Sequence, residues 1–581
     1  MPLIRTRADI DDLLDGPTPA EEKLLAASLA GKPCYLGDAV PPKGTPDPQV
    51  RIRAGVLRYL ITGGCEAHPV ANWGVELYGA RITGTLDLRL ATAQGVTGLI
   101  RCRFDEPIEA LQAKLQLLSL DGSAFPALNA QGAKVKGDIF LRNITAEATV
   151  AINSATIGGQ LSCTGATFNA TAGHALNAQG AQVTGSVYLC KITAEATVTV
   201  SGTTIGGQLS CTGATFNATA GHALNAQGAQ VTGSVYLRKI TAEATVTVSG
   251  TTIGGQLGCD GATFNATAGH ALKAQGTQVT EGFFFRGVRT GQGVIDLSAA
   301  QVGSLVDDPR SWPPKNRLIL NGFTYTRIRN AEFPRLSDRL DWLAKGSTWG
   351  HEFLPQPYTQ LAKVYREMGQ DGDARDILAE RERRLLRHRF FSAVNLNNGT
   401  PEDGVTLRQI NFHVILWSFL ARTVVGYGYH PFRSVMILFA LIALSAVFAD
   451  RAWQTGGITP NSAHVLVSPG WLAHHAVEGA PAHVWIGDVI PAGWSPDPET
   501  PEQMWPDMAP GRDWETFNAL AYGADIAIPI IAFGQTDAWA PSATRGAWGT
   551  FLWWWRWVAT TTGWIVTGLA AAAVTGIIRR D

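Results

Sequence analysis

The chain has 581 residues, enough for several domains, and a net charge of −1 that gives no reason to expect nucleic acid as a partner. Only 16% of its residues are charged against 45% apolar, a balance that makes membrane association the first expectation. Its seven cysteines, an odd number without a Cys-x-x-Cys pair, exclude a simple disulfide framework and show no zinc-ligand spacing.

Residues 1–70 read as an N-terminal helical cap, with helices expected over Glu21–Ala30 and Val50–Thr62 that cover the first coil of a repeat region. Met1–Gly16 carries Asp9, Asp11, Asp12 and Asp15 and lacks the apolar run of a signal peptide, so the repeat region is expected in the cytoplasm.

Residues 71–310 are dominated by that repeat. A stretch of about 48 residues recurs from Leu128, Leu176 and Leu224, and the last two copies differ only at Cys190/Arg238, Ser210/Gly258 and Thr212/Asp260. Each copy holds two units of roughly 22 and 26 residues, in which apolar residues follow h-x-h-x4-h-x3-h-x-h with Gly after the second and third. Leu176, Ala178, Val183, Val187 and Leu189 form one unit; Val198, Val200, Ile205, Leu209 and Cys211 form the next. The template also fits Val75 to Leu88 and Leu272 to Phe285, and weakly Ile295 to Val306. Apolar residues at i and i+2 mark short strands with one buried face, and a unit this small closes a core only by stacking on its neighbours. The expectation is a β-solenoid of ten or so coils from about Val75 to Asp308; a large β-sandwich is the alternative. Trp312, Pro313 and Pro314 mark an exit loop.

Three sets of polar residues recur once per repeat. Cys163, Cys211 and Cys259 share an inward slot and are expected to be core residues. His174, His222 and His270 lie about 9 to 10 Å apart if each repeat is two coils, too far to share a metal, and are expected to be exposed loop residues. Gly-Gly-Gln at 158–160, 206–208 and 254–256 matches the tripeptide of peptide-release factors but falls on a coil corner and reads as a turn. Gly291-Gln292-Gly293 is no full dinucleotide fingerprint, and no Walker-type loop occurs.

Residues 311–400 read as a helical linker, in which Leu361, Ala362, Tyr365, Gly369, Ala374 and Ile377 are spaced as in one hairpin of the tetratricopeptide type. The basic tail Arg381, Arg383, Arg384, Arg387 and Arg389 suits either anionic headgroups or a solvated helix face.

Residues 401–581 read as the membrane domain, with spans near 432–451 and 558–578 and an outer loop 452–546. Phe412–Val425, broken by Arg422, suits an interfacial helix. Arg422 and Arg433 before the first span, Trp553, Trp554, Trp555 and Trp557 before the second, and Arg579 and Arg580 after it mark the membrane interfaces. The positive charge predicts a multi-pass protein of an inner or plasma membrane with both termini cytoplasmic. Gly568, Ala572 and Gly576 form a small-residue stripe suited to helix packing and a homo-oligomer. Phe517–Phe533 is uncharged except for Asp525 and is either a re-entrant half-helix or a surface helix; Asp525, Pro529, Gly534 and Gln535 are the candidate pore residues. His464, His474, His475 and His483 near Glu478 and Asp488 lack fixed ligand spacing.

The order of parts resembles bacterial pentapeptide-repeat-like β-solenoid membrane proteins with a two-helix, ion-channel-like C-terminal domain, a family sometimes labelled membrane-associated oxidoreductases. The Leu361 to Ala374 hairpin, the Gly426-Tyr427-Gly428-Tyr429-His430-Pro431-Phe432-Arg433 stretch and the helix, re-entrant segment, helix order carry the resemblance. It implies a mainly β fold, a right-handed β-solenoid, followed by a helical hairpin and a two-span α-helical membrane domain. The coils depart from a strict five-residue period, and Ile528 to Gln535 does not match a potassium-channel filter, so cation selectivity is not implied.

The leading functional expectation is a non-enzymatic, membrane-anchored scaffold whose partners are lipids, further copies of itself and a protein seated on the solenoid. The alternatives are a channel-like oligomer and an oxidoreductase; no residue pattern calls for a catalytic group, cofactor or metal.

Overall fold

A computed structural model describes residues 4–12, 16–44, 46–329, 335–349, 352–395, 412–468, 471, 509–528 and 530–575. The chain forms two compact units, Met1–Ile377 and Leu378–Asp581.

The first unit holds a parallel β-solenoid of about 12 turns. Each central coil carries four strands of two to four residues, as in His174–Asn177, Gln182–Val183, Val187–Tyr188 and Thr193–Ala194, while longer strands such as Gln278–Phe285 occur toward the ends. Equivalent strands pair in register from coil to coil: Leu128 faces Val150, Val150 faces Leu176, Leu176 faces Val198 and Val198 faces Leu224. The two-coil repeat is therefore seen directly. Cys163, Cys211 and Cys259 are fully buried in one column, and burial pushes the Cys163 thiol up to about 12.

The fourth side of the coil, outside the apolar template, also shows the two-coil repeat. Its inward column reads Phe125, Ala146, Phe168, Ala194, Phe216, Ala242 and Phe264, large and small in alternation. From Ala146 to Phe264 the alternation lets each ring lie over an alanine, whereas Phe104 and Phe125, on the two coils before, meet edge-on at 6.4 Å.

The corners at Gly158, Gly206 and Gly254 are bends, as expected for the Gly-Gly-Gln triplets. A Cβ at Gly206 would lie 2.1 Å from the Thr184 carbonyl oxygen of the coil before, and the same clash recurs at Gly158 and Gly254. Close backbone approach, not positive φ, requires glycine there.

Three expectations are corrected. The helix expected over Val50–Thr62 is Ala54–Ile61, because Arg51–Arg53 is a strand paired with Arg81–Thr83. The histidines are not exposed loop residues: each opens a strand and is half-buried. His174 Nδ1 lies 3.0 Å from Thr199 Oγ1, His270 Nε2 lies 3.7 Å from Asp296, and burial holds His222 below the usual imidazole range. Finally, Trp312-Pro313-Pro314 is not the exit. Strands Leu318–Ile319 and Thr324–Ile328 resume the register beyond it, against Val294–Asp296 and Gln301–Asp307.

Both ends of the column are covered. At the first, Pro19–Leu29 starts in a capping box of Thr18 and Glu21. Glu21, fully buried, accepts from Arg53 at 2.6 and 2.9 Å. At the other end Gln356–Glu367 lies on the last coil, where the side chains of Gln356 and Gln360 take up the amide of Gly322 and the carbonyl of Tyr325. Each end thereby satisfies strand groups that would template aggregation. Helix Asp371–Asn395 comes after a turn at Gly369, and Leu361, Ala362, Tyr365, Ala374 and Ile377 are buried as the hairpin spacing predicts.

The second unit contains helices Phe412–Val425, Phe432–Gln454, Ala519–Ala527 and Gly546–Val574. Phe432–Gln454, of 23 residues, and Gly546–Val574, of 29, are long and apolar enough to cross a membrane. In the most apolar stretch of each, 22% and 28% of the residues are buried. The second begins 12 residues before the expected Val558, so its tryptophans lie on the helix. Near the ends of the two helices Ile458–Pro460 pairs antiparallel with Trp539–Pro541.

Candidate functional site

The second unit places the short helix Ala519–Ala527 against both apolar helices near their middles. A Cβ at Gly523 would lie 2.7 Å from Ile442 O and Ala446 N, and one at Gly563 would lie 2.1 Å from Ala527 O. Backbone thus meets backbone on both sides, and Thr560 Oγ1 donates to Ile526 O at 3.1 Å. A further close approach, Gly457 on Gly549, lies nearer the ends of the long helices. Sequence reading missed these four glycines, which are spread from Gly457 to Gly563 and show no periodicity in the chain.

Asp525 organises the return from the short helix. Its carboxylate accepts from the amides of Phe533 and Thr536, at 2.9 and 2.8 Å, and from Thr536 Oγ1 at 2.9 Å. Gly534 takes a left-handed φ of +80° at that turn. Gln535 is buried; its amide donates to Thr516 O at 3.0 Å and accepts from the Asn518 amide at 2.9 Å. Asp525, Gly534 and Gln535 thus come together as a hydrogen-bonded loop, while Pro529 lies outside the described residues. A cavity of about 410 Å³ opens beside this loop, lined by Asp525, Ile530, Arg556, Trp557, Thr560 and Trp564 among others.

Arg422 and Arg433 are exposed, at the end of Phe412–Val425 and the start of Phe432–Gln454. Trp554 and Trp557 are exposed and Trp553 is half-buried. Trp555 turns inward instead, donating to Ser445 Oγ at 3.0 Å and meeting Phe448 edge-on. Gly568 is exposed, with nothing within 4 Å of a Cβ there among the described residues, and Ala572 is half-buried. Gly576, Arg579, Arg580, His474, His475 and His483 lie outside the described residues. The basic tail is partly neutralised: Arg383 and Arg384 pair with Glu380 and Arg381 with Glu382, at 2.7 to 3.0 Å.

In the first unit a second constellation runs along one outer face of the solenoid. Phe140, Ser162, Tyr188, Ser210, Tyr236, Gly258 and Phe284 stand in register on seven successive coils. Guanidinium groups lie over three of the rings: Arg142 over Phe140 at 4.5 Å, Arg238 over Tyr236 at 4.6 Å and Arg286 over Phe284 at 5.5 Å. All three differences between the last two repeats fall here. Cys190 Sγ lies 3.2 Å from Ser210 Oγ, which lies 3.3 Å from Thr212 Oγ1. In the next copy Arg238 takes the place of Cys190, and Gly258 makes room for it, since a Cβ there would sit 3.1 Å from Arg238 Nε. Asp260, in the place of Thr212, pairs with Arg286 at 2.8 Å. The exchanges at 190/238 and 210/258 are thus one coupled packing change, while that at 212/260 adds the ion pair to Arg286.

Compared with protein-family models, curated proteins and solved structures, the chain finds no match.

Proposed function

We propose that the protein is a membrane-anchored scaffold: a cytoplasmic β-solenoid that presents a repeated outer face to a protein partner and is tethered by Phe432–Gln454 and Gly546–Val574. The observation that supports this most is the ladder of half-exposed rings recurring every second coil, three of them overlain by arginines, since a repeated surface suits multivalent contact better than a single reacting centre. Arginines before the first span and after the second favour cytoplasmic termini. The likeness to pentapeptide-repeat-like membrane proteins belongs to this reading. Two measurements test it. The full-length protein should stay in the membrane pellet after alkaline extraction, and a photo-crosslinker at Tyr188 should capture one discrete protein in cells; release into the supernatant, or no adduct, overturns it.

A second reading, a channel-like oligomer, is favoured by one observation: the short helix docks near the middle of both candidate spans, which suits a re-entrant segment better than a surface helix. Protease protection of residues 509–535 in oriented vesicles is expected on this reading, and cleavage there overturns it.

A further inference from the structure

We infer that the aromatic face of the solenoid is a docking site for a proline-rich segment in polyproline II conformation, carrying carboxylates, on a partner protein. This deepens the scaffold reading and rests on it. Phe140, Tyr188, Tyr236 and Phe284 are each half-exposed, while Ser162 and Ser210 between them are 6% exposed and Gly258 is buried. The face is therefore a row of four aromatic ridges with open small-residue valleys at Ser162 and Ser210, while the Arg238 side chain occupies the position beside Gly258. Coils of a parallel β-stack rise ~4.8 Å each, so ridges on alternate coils stand ~9.6 Å apart. A polyproline II helix rises ~3.1 Å per residue with three residues per turn, or ~9.3 Å per turn. Over the two intervals from Phe140 to Tyr236 the two ladders drift by only ~0.6 Å, so one proline per turn can seat in each of the valleys at Ser162 and Ser210. An extended β-strand repeats every ~6.8 Å and falls out of phase at the first valley.

The polar groups fit the same ligand. A polyproline II backbone leaves its carbonyls unpaired, and Tyr188 and Tyr236 present phenolic hydroxyls along the ridges, with Gln256 Nε2 3.0 Å from the Tyr236 hydroxyl. Charge selects further. Arg142 and Arg286 are paired with Asp121 and Asp260, whereas Arg238 has no carboxylate partner among the described residues. One cation in a largely neutralised row suits an acidic proline-rich peptide better than the dense charge of nucleic acid.

The test is fluorescence anisotropy on the full-length protein in detergent, with a labelled peptide of Glu-Pro-Pro repeats. A Glu-Gly-Ser peptide of equal length and charge and a β-linked glucose oligomer are the comparisons. The proline peptide should bind at least ~10-fold more tightly than the Gly-Ser peptide. Tyr236→Ala and the valley-filling Ser210→Leu should each weaken it by ~10-fold or more with the unfolding temperature unchanged. Arg238→Gln should weaken the acidic peptide but not its Gln-Pro-Pro counterpart; this surface variant decides the matter if Ser210→Leu fails to fold. Equal binding of the two peptides, indifference to all three substitutions, or binding of the oligosaccharide alone overturns the inference. A partner crosslinked at Tyr188 that lacks proline-rich sequence overturns it while leaving the scaffold reading intact; peptide binding by a protein that alkaline extraction releases does the reverse.

Discussion

Single side chains set how each end of the solenoid reacts to chemistry. Near the first end, Tyr59 donates its hydroxyl to Cys65 Sγ at 3.2 Å, and this hydrogen bond is the main cause that holds the half-exposed Cys65 thiol below its ordinary range. Burial raises the thiols of Cys34, to about 11, and of Cys102 and Cys163, to about 12. Alkylation of the native protein at neutral pH should therefore label Cys65 well before these three. Tyr59→Phe removes the group that stabilises the thiolate, so the midpoint of the pH–rate profile at Cys65 should rise and its rate at neutral pH fall; mass spectrometry of the labelled peptides reads both. At the far end, Arg339 and Asp307 are both buried and joined by two hydrogen bonds of 2.7 Å, with the Trp312 indole donating to the same carboxylate at 2.6 Å. Removing one member of such a pair strands its charge in a dry interior. Asp307→Asn should cost about 3 to 5 kcal/mol in denaturant unfolding followed by tryptophan fluorescence, and Asp307→Asn combined with Arg339→Met should recover much of it. An unchanged Asp307→Asn transition would show that water reaches the pair.

At the scale of elements, two glycines five positions apart on Gly546–Val574 separate packing from propensity. Alanine favours a helix over glycine by about 1 kcal/mol, so Gly568→Ala, which meets nothing within 4 Å, should be neutral or stabilising. Gly563→Ala drives a methyl group against Ala527 O and should lift the short helix, exposing a cysteine placed at Ala524 to a membrane-impermeant thiol reagent. Equal labelling in both variants would mean the short helix does not depend on this approach. The difference between these glycines also shows what sequence alone carries. Apolar spacing marks three sides of every coil, because strand residues at i and i+2 must share the buried face. The fourth side is hidden, since its alternation of Phe with Ala breaks any template of recurrent large residues. The strand Arg51–Arg53 is hidden too, being only three residues long and charged at both ends, so that its pairing with Arg81–Thr83 decides its state. The Trp-Pro-Pro stretch misleads for a simple reason: a corner tolerates proline because no ladder amide is needed there, and the strands resume behind it. Asp525 and Gln535 are legible as polar residues in an apolar run, but their loop depends on bonds from Phe533, Thr536 and Asn518.

For the molecule as a whole, the decisive property is that the solenoid's unit of length is two coils. Inside, Phe168 must meet Ala194 and Ala146; outside, Tyr188 must meet Ser162 and Ser210. Deleting residues 176–223 joins coils that already obey both alternations, because Leu224 then takes the register of Leu176 against Val150. Neighbour contacts on either side of the junction stay the same in kind, so stability should change by little more than the loss of one repeat from a long array. Deleting residues 176–197 removes one coil instead and sets Val198 against Val150, which brings Phe216 onto Phe168 in the core and Ser210 onto Ser162 outside. Phe104 and Phe125 accommodate this arrangement edge-on, but the slots at Phe168 and Phe216 are each packed against alanine, and two rings brought together there overpack at a cost of about 1 to 3 kcal/mol. Limited proteolysis of the two full-length deletion proteins separates the outcomes. The two-coil deletion should resist cleavage across the solenoid as the parent does and lose one ridge of the aromatic face. The one-coil deletion should be cut near its junction, and equal resistance of the two would show that the alternation does not govern how the coils stack.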